Sequence, residues 1–514
     1  MSFQTTNKDR LSTFKQRDDN RRVAIIDIGS NSVRLVIYDV VGRCIRTFFN
    51  EKVLAGLGRG LGETGKLDPD GRVLAMQALD RFCAVMDAQR VTDVTAFATA
   101  AVRDAEDGAE FCAKMKERTG LAIRILSGTD EAKYAASGVI AMQPKADGVC
   151  GDLGGSSLEF SNIQEGYYTG GSTYALGPLA LQSVSETIDL SSTKVRKALE
   201  EHIDSVLDDA IELKGRSGTF YAVGGAWRTI ARIHMELNDY SLRMLQNYEM
   251  TASSVIELCD RLMVPDKKLT PLVTAIAKKR EQTLPLTALV LSRLIQIGGF
   301  DKVVTSSYGA REGMVYEGLS ASLQRRDPLL AGMRLLMKSE PAGELFGEAL
   351  AGWIRQASEK TLPQRLIEAS CIVADLGARL HPDHRSHLTS EWVLTAPVTG
   401  VTHVERAMLA LAIGCRYERN FRSTATETLL NGSERAAAKA LGALMRLGAD
   451  FSGRTANLFA FAKLTATSEE LVLDVDKDHS SLASELVIKR LERTAFALGL
   501  TPALKFGGEQ SVAT

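Results

Sequence analysis

From Val23 onward, short β-branched runs alternate with stretches whose apolar residues recur at helical spacing. Val23–Ile28, Val33–Val40, Val91–Ala98, Ile123–Leu126, Val149–Leu153 and Lys302–Thr305 read as strands. Asp70–Ala88 and Ala109–Arg118 read as amphipathic helices between them. This alternation predicts an α/β layered domain. After about Ser320 the strand signals fade and helical periodicity takes over from Pro328 to Leu447. Leu329, Leu330, Met333, Leu336 and Met337 form the stripe of one buried helix face. The charged segment Ser322–Asp327, ending before Pro328, predicts a linker. Asn457–Thr465 and Glu470–Asp476 predict two further strands, and Leu482–Ala497 a closing helix.

An internal repeat organises the first half. Asp27-Ile-Gly-Ser-Asn-Ser32-Val-Arg-Leu35 aligns without gaps on Asp152-Leu-Gly-Gly-Ser-Ser157-Leu-Glu-Phe160. Each copy is an apolar strand, then Asp, an aliphatic residue and Gly, then a small polar turn, then a second strand. Asp27 and Asp152 lie about one domain length apart, which implies two domains of related design whose turns face each other across a cleft. The chain divides into a flexible tail (1–21), two related α/β domains (22–142 and 143–320), a helical domain (328–450) and a small α+β module (451–514).

Composition narrows the function classes. The chain has 514 residues, 45% hydrophobic and 24% charged, an ordinary globular make-up. A net charge of −1 offers no bulk attraction to polyanions, so nucleic-acid binding is not expected and any polyanion must be held by local Lys and Arg. The seven cysteines include no C-x-x-C pair and read as reduced thiols of a cytoplasmic protein. No apolar run approaches a membrane span, and the polar N-terminal segment carries no secretory h-region.

The candidate chemistry clusters at the repeated turns. A phosphate needs several N–H groups aimed at one point, and small residues let the backbone come close. Gly29, Ser30, Asn31 and Ser32 offer this in one copy, and Gly154, Gly155, Ser156 and Ser157 in the other. A single such turn reads as an ordinary hairpin, whereas two matched copies favour phosphate binding. Both join strand to strand and no G-x-x-x-x-G-K-[ST] occurs, so neither is a P-loop. Asp27 and Asp152 at the strand ends either cap their turns or, with Glu159, hold a divalent cation such as Mg²⁺.

Other segments have two readings each. Glu131 falls in the first turn of a helix after Leu126-Ser-Gly-Thr, where it either complements the macrodipole or activates a water. Arg103, a turn into the helix after Thr99, either pairs with Asp104 or Glu106 or grips phosphate, and Arg311 in Ser307–Gly313 repeats that situation. Phe220–Ala226 runs a strand into Gly224-Gly225 and then a helix, an anion or nucleotide site by geometry. Lys267, Lys268, Lys278, Lys279 and Arg280 form a basic stretch, either a solvated helix face or a polyanion track. His381, His384, His387 and His403 share one window without an H-E-x-x-H, and a surface loop is expected there.

Six motifs, in order, resemble the exopolyphosphatase/guanosine pentaphosphate phosphatase (PPX/GppA) family. They are AIIDIGSNSVRLVI (Ala24–Ile37), ATAAVRDA (Ala98–Ala105), ILSGTDEA (Ile125–Ala132), GDLGGSSLEF (Gly151–Phe160), AVGGAWRTIA (Ala222–Ala231) and YGAREGMVYEGL (Tyr308–Leu319). The resemblance is to its long-form exopolyphosphatases. It implies duplicated actin-like ATPase (ribonuclease H-like) domains flanking a cleft, and release of orthophosphate from the end of inorganic polyphosphate. The alternative it implies is 5′-phosphohydrolysis of guanosine pentaphosphate (pppGpp), with pppGpp or ppGpp also candidate inhibitors. It implies Glu131 as the catalytic carboxylate and Arg103 as a phosphate-binding group. It places Asp152 and Glu159 near Mg²⁺, with Mn²⁺ and K⁺ as further candidate ions, and Gly154–Ser157 as the second phosphate loop. A homodimer is expected. Of another class would be an ATP-binding kinase or chaperone-like ATPase of the same fold, which needs an adenosine pocket near Gly224 and Gly225, where Trp227 and Arg228 look obstructive. A catalytically weak polyanion- or alarmone-binding protein is a third reading, opposed by the retained Glu131.

The chain departs from the family pattern in three places. Ser156 replaces a third loop glycine, which restricts that position to negative φ. Gly224-Gly-Ala-Trp-Arg-Thr229 replaces a G-x-S-G-T-like turn, so Trp227 and Arg228 are expected to reshape that wall. Long relatives carry a C-terminal helical module similar to HD-type phosphohydrolases. Here Ile372-Val-Ala-Asp-Leu-Gly377 puts Ala374 at the metal-binding His position, which implies an HD-like domain without metal chemistry that extends the substrate groove or builds the dimer.

Overall fold

A computed structural model gives the fold. It describes residues 20–510 apart from 183, 185–188, 214–217, 265, 360 and 508. The chain forms two compact units, Met1–Arg326 and Asp327–Thr514.

The first unit is built on two sheets with one plan. In the first, β1 (Arg21–Ile28), β2 (Val33–Val41) and β3 (Cys44–Val53) form an antiparallel meander, and β4 (Asp93–Ala98) and β5 (Ile123–Ile125) add in parallel on the other side of β1. In the second, β6 (Gly148–Leu153), β7 (Leu158–Gln164) and β8 (Tyr167–Tyr174) repeat the meander. Next, β9 (Thr219–Val223) adds parallel to β6, and β11 (Lys302–Thr305) parallel to β9. An extra strand, β10 (Glu249–Thr251), closes that edge antiparallel to β11. The duplicated, mixed α/β sheets fit an actin-like arrangement.

The central strands are apolar throughout because both sheet faces are covered. Ala24, Ile26 and Ile28 of β1 share a core with Ala75, Leu79 and Phe82 of the helix Pro69–Ala88. Val23 and Ile25, on the opposite face, pack with Met314 and Val315 of the helix Ala310–Glu317. Three strands lack the expected signal. β3 and β8 carry no continuous apolar run and lie at sheet edges, and β10 is only three residues long.

Ser322–Asp327 differs from the expected linker. Ala321–Gln324 is a short helix whose Leu323 is buried, and the break between units follows Arg326. Asp327 then caps the helix Pro328–Leu336, its carboxylate accepting from the Leu329 and Leu330 N–H groups at 2.8 and 3.1 Å.

The second unit packs the helices Pro328–Leu336, Pro341–Ser358, Gln364–Ile372, Arg385–Thr395, His403–Tyr417 and Gly432–Ser452 with a four-stranded sheet and the helix Glu485–Leu498. Leu350, Leu411 and Leu444 from the helices share one core with Leu471, Leu473 and Leu491 beyond residue 450. The stretch expected as a strand from Asn457 starts as the 3₁₀ turn Ala456–Phe461, and only Ala462–Ala466 is extended. The reason is packing: Phe459 turns in against Trp353 and Phe451, and Trp353 Nε1 donates to the Ala462 carbonyl at 2.9 Å. The histidine window is not a loop. His384 ends a 3₁₀ turn, His387 lies on the helix Arg385–Thr395 with its ring edge-on to Phe421, and His403 is buried at a helix start.

No helix among the described residues is long and apolar enough to cross a membrane. None of the seven cysteines is in a disulfide.

Candidate active site

The two copies of the repeated turn close with the same hydrogen bond. Gly29 N–H donates to Ser32 O at 3.0 Å, and Gly154 N–H to Ser157 O at 2.9 Å. Strand register repeats too: Asp27 faces Arg34 across β1 and β2, and Asp152 faces Glu159 across β6 and β7. The copies therefore differ in one charge, Arg34 against Glu159. The turns also meet, since Ser156 Oγ donates to Ser30 Oγ at 3.4 Å. No residue from 154 to 157 has a positive φ, so serine fits at position 156. Gly177 matters beneath this turn, because a Cβ there would stand 2.5 Å from Gly155 O.

The turns open onto a cavity of about 340 Å³. Ser30, Asn31, Ser32, Gly154, Gly155, Ser157, Gly224 and Gly225 line it, as do the carboxylates Asp27, Glu131, Asp152 and Glu159. Five cationic side chains join them: Arg34, Lys52, Arg228, Arg280 and Arg311. The sequence-predicted residues are thus brought together, except that Ser156 and Arg103 do not line the cavity. Arg103 stands behind it. Its Nη1 donates to Glu131 Oε1 at 2.5 Å and to Leu126 O at 3.0 Å, and its Nε to Asp104 at 3.2 Å. Of the two readings of Arg103, the structure shows the ion pair, with Asp104 and with Glu131, and it does not bring the guanidinium to the cavity.

Local folding explains the placement of Glu131. Ser127 and Asp130 form a reciprocal capping box that fixes the first turn of the helix Gly128–Met142. Thr173 Oγ1 donates to the buried Glu159 at 3.0 Å. Arg311 Nη1 donates to Asp27 at 2.6 Å, so Asp27 is engaged in an ion pair. Glu312 next to it accepts from Tyr38 OH at 2.5 Å and from Gly309 N–H at 2.9 Å, which ties the start of the Ala310–Glu317 helix to β2.

The acidic wall is electrostatically crowded. Burial and the neighbouring Glu159 push the Glu131 carboxyl well up, against the pull of Arg103. Burial raises Asp152 to about 6, against Arg228 and Arg311. Glu159 is raised by burial and by Asp152. The basic wall is strained in the opposite sense: burial, Arg280, Arg34 and Arg311 lower Lys52 to about 8. A ligand carrying phosphoryl oxygens relieves the basic wall, and a divalent cation relieves the acidic one.

Among the described residues no three His, Cys, Asp or Glu side chains are arranged as a metal cage. Mg²⁺ needs none, since one or two carboxylates with substrate oxygens and water suffice. Asp152 and Glu159 fit that donor set, whereas Asp27 is paired with Arg311.

Several lining residues were missed in the sequence. Arg34 lies inside the repeat, directly opposite Asp27, and Lys52 pairs with Arg34 across β2 and β3. Arg280, from the basic stretch, lies where a side chain at Gly225 would stand. The side chain of Lys279 lies outside the described residues. Trp227 does not reshape the wall: it is fully buried, its Nε1 donating to Thr287 O at 3.3 Å and its ring edge-on to Phe220. Arg228 does line the cavity, anchored by Nη1 to Ser307 O at 3.0 Å.

Residues 36–322 match the model of the Ppx/GppA phosphatase family. The chain belongs to that family. Residues 343–503 match a second model, the exopolyphosphatase C-terminal family. Exopolyphosphatase 2 of Mycobacterium tuberculosis is 24% identical over 57% of this chain and 97% of that protein. A guanosine-5′-triphosphate,3′-diphosphate pyrophosphatase of Vibrio cholerae is 22% identical over 88% of this chain and 91% of its own. Retrograde regulation protein 2 of Saccharomyces cerevisiae is 25% identical over 80% of this chain and 76% of that protein. The fold matches the crystal structure of an exopolyphosphatase from Cytophaga hutchinsonii with a TM-score of 0.53 and 22% identity, over 58% of this chain and 99% of the other.

Proposed function

We propose that this family member releases orthophosphate from the end of inorganic polyphosphate, using water oriented by Glu131. The observation that carries the reading is the cavity itself, in which a carboxylate backed by Arg103 faces five cationic side chains across two small-residue turns. Such a wall suits a chain of phosphates better than a single one.

In this mechanism the terminal phosphoryl group sits between Ser30–Ser32 and Gly154–Ser157, held by backbone N–H groups and hydroxyls. Arg228 and Arg311 face its oxygens, while Arg34, Lys52 and Arg280 take the phosphates that follow. Glu131 accepts a proton from water as the water oxygen bonds to phosphorus. The bond from phosphorus to the bridging oxygen breaks in line, and the shortened chain leaves with the electron pair. Arg103 keeps Glu131 pointed at the water. Asp152 and Glu159 would hold Mg²⁺, with Mn²⁺ and K⁺ as further candidate ions, and a bound cation would neutralise charge on the phosphoryl oxygens.

Guanosine pentaphosphate hydrolysis by the same groups is the alternative, favoured by the likeness to the Vibrio pyrophosphatase across most of both chains. An ATP-consuming kinase or chaperone-like ATPase is less favoured, because Arg280 and Arg228 stand at the Gly224-Gly225 turn where adenosine would go. Phosphate release from long-chain polyphosphate, pppGpp and ATP, measured in parallel with Mg²⁺, tests the reading. Preference for polyphosphate supports it. A preference for pppGpp keeps the mechanism and changes the substrate, and activity on ATP alone sinks both.

A further inference from the structure

A second cavity, of about 260 Å³, lies in the first unit beside the cleft. It opens where the helix Ala252–Met263 ends and the helices Thr270–Ala277 and Leu284–Gly298 begin. Its floor is apolar, formed by the buried Leu190, Leu262, Leu269 and Leu284. Val264, 41% exposed, lines it as well, so apolar surface is left open to water there.

The charged groups around this floor do not balance. Asp189, Asp266 and Glu281 line the cavity against one cation, Arg261. Arg261 is engaged by Asp266, its Nε and Nη2 donating at 3.2 and 3.1 Å. Asp189 accepts only from the N–H and hydroxyl of Ser191, at 3.0 and 2.6 Å. Glu281 accepts only from the Thr274 hydroxyl, at 2.8 Å. Two carboxylates thus have neutral partners alone. The helix starts do not make this an anion site. Asp266 already takes the Lys268 and Leu269 N–H groups on its carboxylate, at 2.9 and 3.3 Å, and the Thr270 N–H on its carbonyl, at 2.8 Å. Pro285 has no N–H to offer. Nor do the carboxylates form a cage for a metal ion among the described residues.

One turn separates this cavity from the cleft. Arg280 and Thr283 line the cleft, whereas Glu281, Leu284 and Pro285 line the second cavity. Thr283 N–H donates to Arg280 O at 3.0 Å, so a single hydrogen-bonded turn carries both sets. Lys278, where the turn leaves the helix Thr270–Ala277, has φ 48 and ψ −114. Side chains disfavour that backbone region, so the turn is held by what packs against it and not by its own preference.

We propose that the second cavity is an effector site for a small organic cation, with an apolar body and one ammonium or guanidinium head, whose binding steadies Arg280 over the cleft. The body covers the leucine floor, and the head meets the carboxylates at Glu281 and Asp189. The volume, below the roughly 300 Å³ at which pockets for drug-sized ligands begin, sets the size class. Binding there does not depend on the reading of the cleft, whereas the coupling rests on Arg280 meeting phosphates.

Ligand-observed NMR titration of the full chain tests the site, with hexylammonium as probe and hexanol and hexanoate as its neutral and anionic counterparts. Hexylammonium should bind at one saturable site, hexanol more weakly and hexanoate not at all. Asp189→Asn/Glu281→Gln changes two exposed side chains, so the fold is kept. It should weaken hexylammonium by about threefold or more and leave hexanol unchanged. Val273→Phe, which fills the cavity from its half-buried position, should abolish binding of both. In a Glu131→Ala background, saturating hexylammonium should tighten tripolyphosphate by about fivefold. That gain should vanish in Asp189→Asn/Glu281→Gln, in which any pairing of the two probes in solution is the same, and in Arg280→Gln, which still binds hexylammonium. If tripolyphosphate does not bind at all, the cleft reading fails, and the hexylammonium titration still decides the second cavity. Hexanoate binding as well as hexylammonium, equal hexylammonium affinity in wild type and Asp189→Asn/Glu281→Gln, or a tripolyphosphate affinity indifferent to hexylammonium overturns the proposal.

Discussion

At the scale of single residues the site is a set of charges held against their preference. Asp152 shows this with a definite sign. Its carboxyl titrates at about 6 in the folded protein, above the roughly 3.9 of an unfolded chain. The stability it contributes is complete below the unfolded value and is lost as pH rises through about 6, so at pH 8 the charge is a burden. Asp152→Asn, without divalent cation, should raise Tm at pH 8 by a few degrees, on the order of 1 kcal/mol, and change little at pH 4. The same variant should lose activity. Equal Tm for variant and wild type at pH 8 would remove the claim of crowding. Glu131 gives a second pH signature. A base works deprotonated, and its pKa is raised, so the acid limb of kcat/KM should lie above the range of an ordinary carboxylate. Arg103→Met should lower kcat by about tenfold or more with little change in KM, because Arg103 aims Glu131 and does not line the cavity. A large rise in KM at constant kcat would instead put Arg103 on the substrate.

At the scale of elements the decisive contact is between two helices. Gly138 of Gly128–Met142 lies against Gly309, and Gly313 of Ala310–Glu317 lies against the Tyr134 carbonyl. A Cβ at Gly138 would overlap the Gly309 backbone, so no side chain fits. One helix carries Glu131 and the other Arg311, and this crossing sets their separation. Gly138→Ala should cost roughly 1–3 kcal/mol by overpacking and lower kcat as well. Unchanged Tm and kcat would show that the crossing yields freely.

This scale also shows what the sequence made legible. The central strands, the helix start carrying Glu131 and both Gly-Ser turns were readable, because apolar periodicity and small turn residues act locally. The repeat conveyed more than any single motif, since Asp27/Arg34 and Asp152/Glu159 stand opposite each other in both sheets. Lys52 was not readable because β3 is a polar edge strand. The position of Arg103 behind Glu131 was not readable because it depends on a contact across 28 residues of chain. Trp227 was misplaced for a similar reason: burial against Phe220 is decided by packing and not by position in a motif.

At the scale of the whole molecule the machinery is confined to one unit. Every residue lining the cavity lies before Arg326, and the family model ends at residue 322. A chain cut after Arg326 should therefore fold and release phosphate from short polyphosphate with kcat within about tenfold of the full chain. The expected homodimer is tested by sedimentation of the full and cut chains.

The central claim is that Glu131 activates the attacking water. Initial rates of phosphate release from long-chain polyphosphate, with Mg²⁺, should fall about 10²-fold or more in Glu131→Gln, with polyphosphate binding retained. A Glu131→Gln protein as active as wild type would contradict the account.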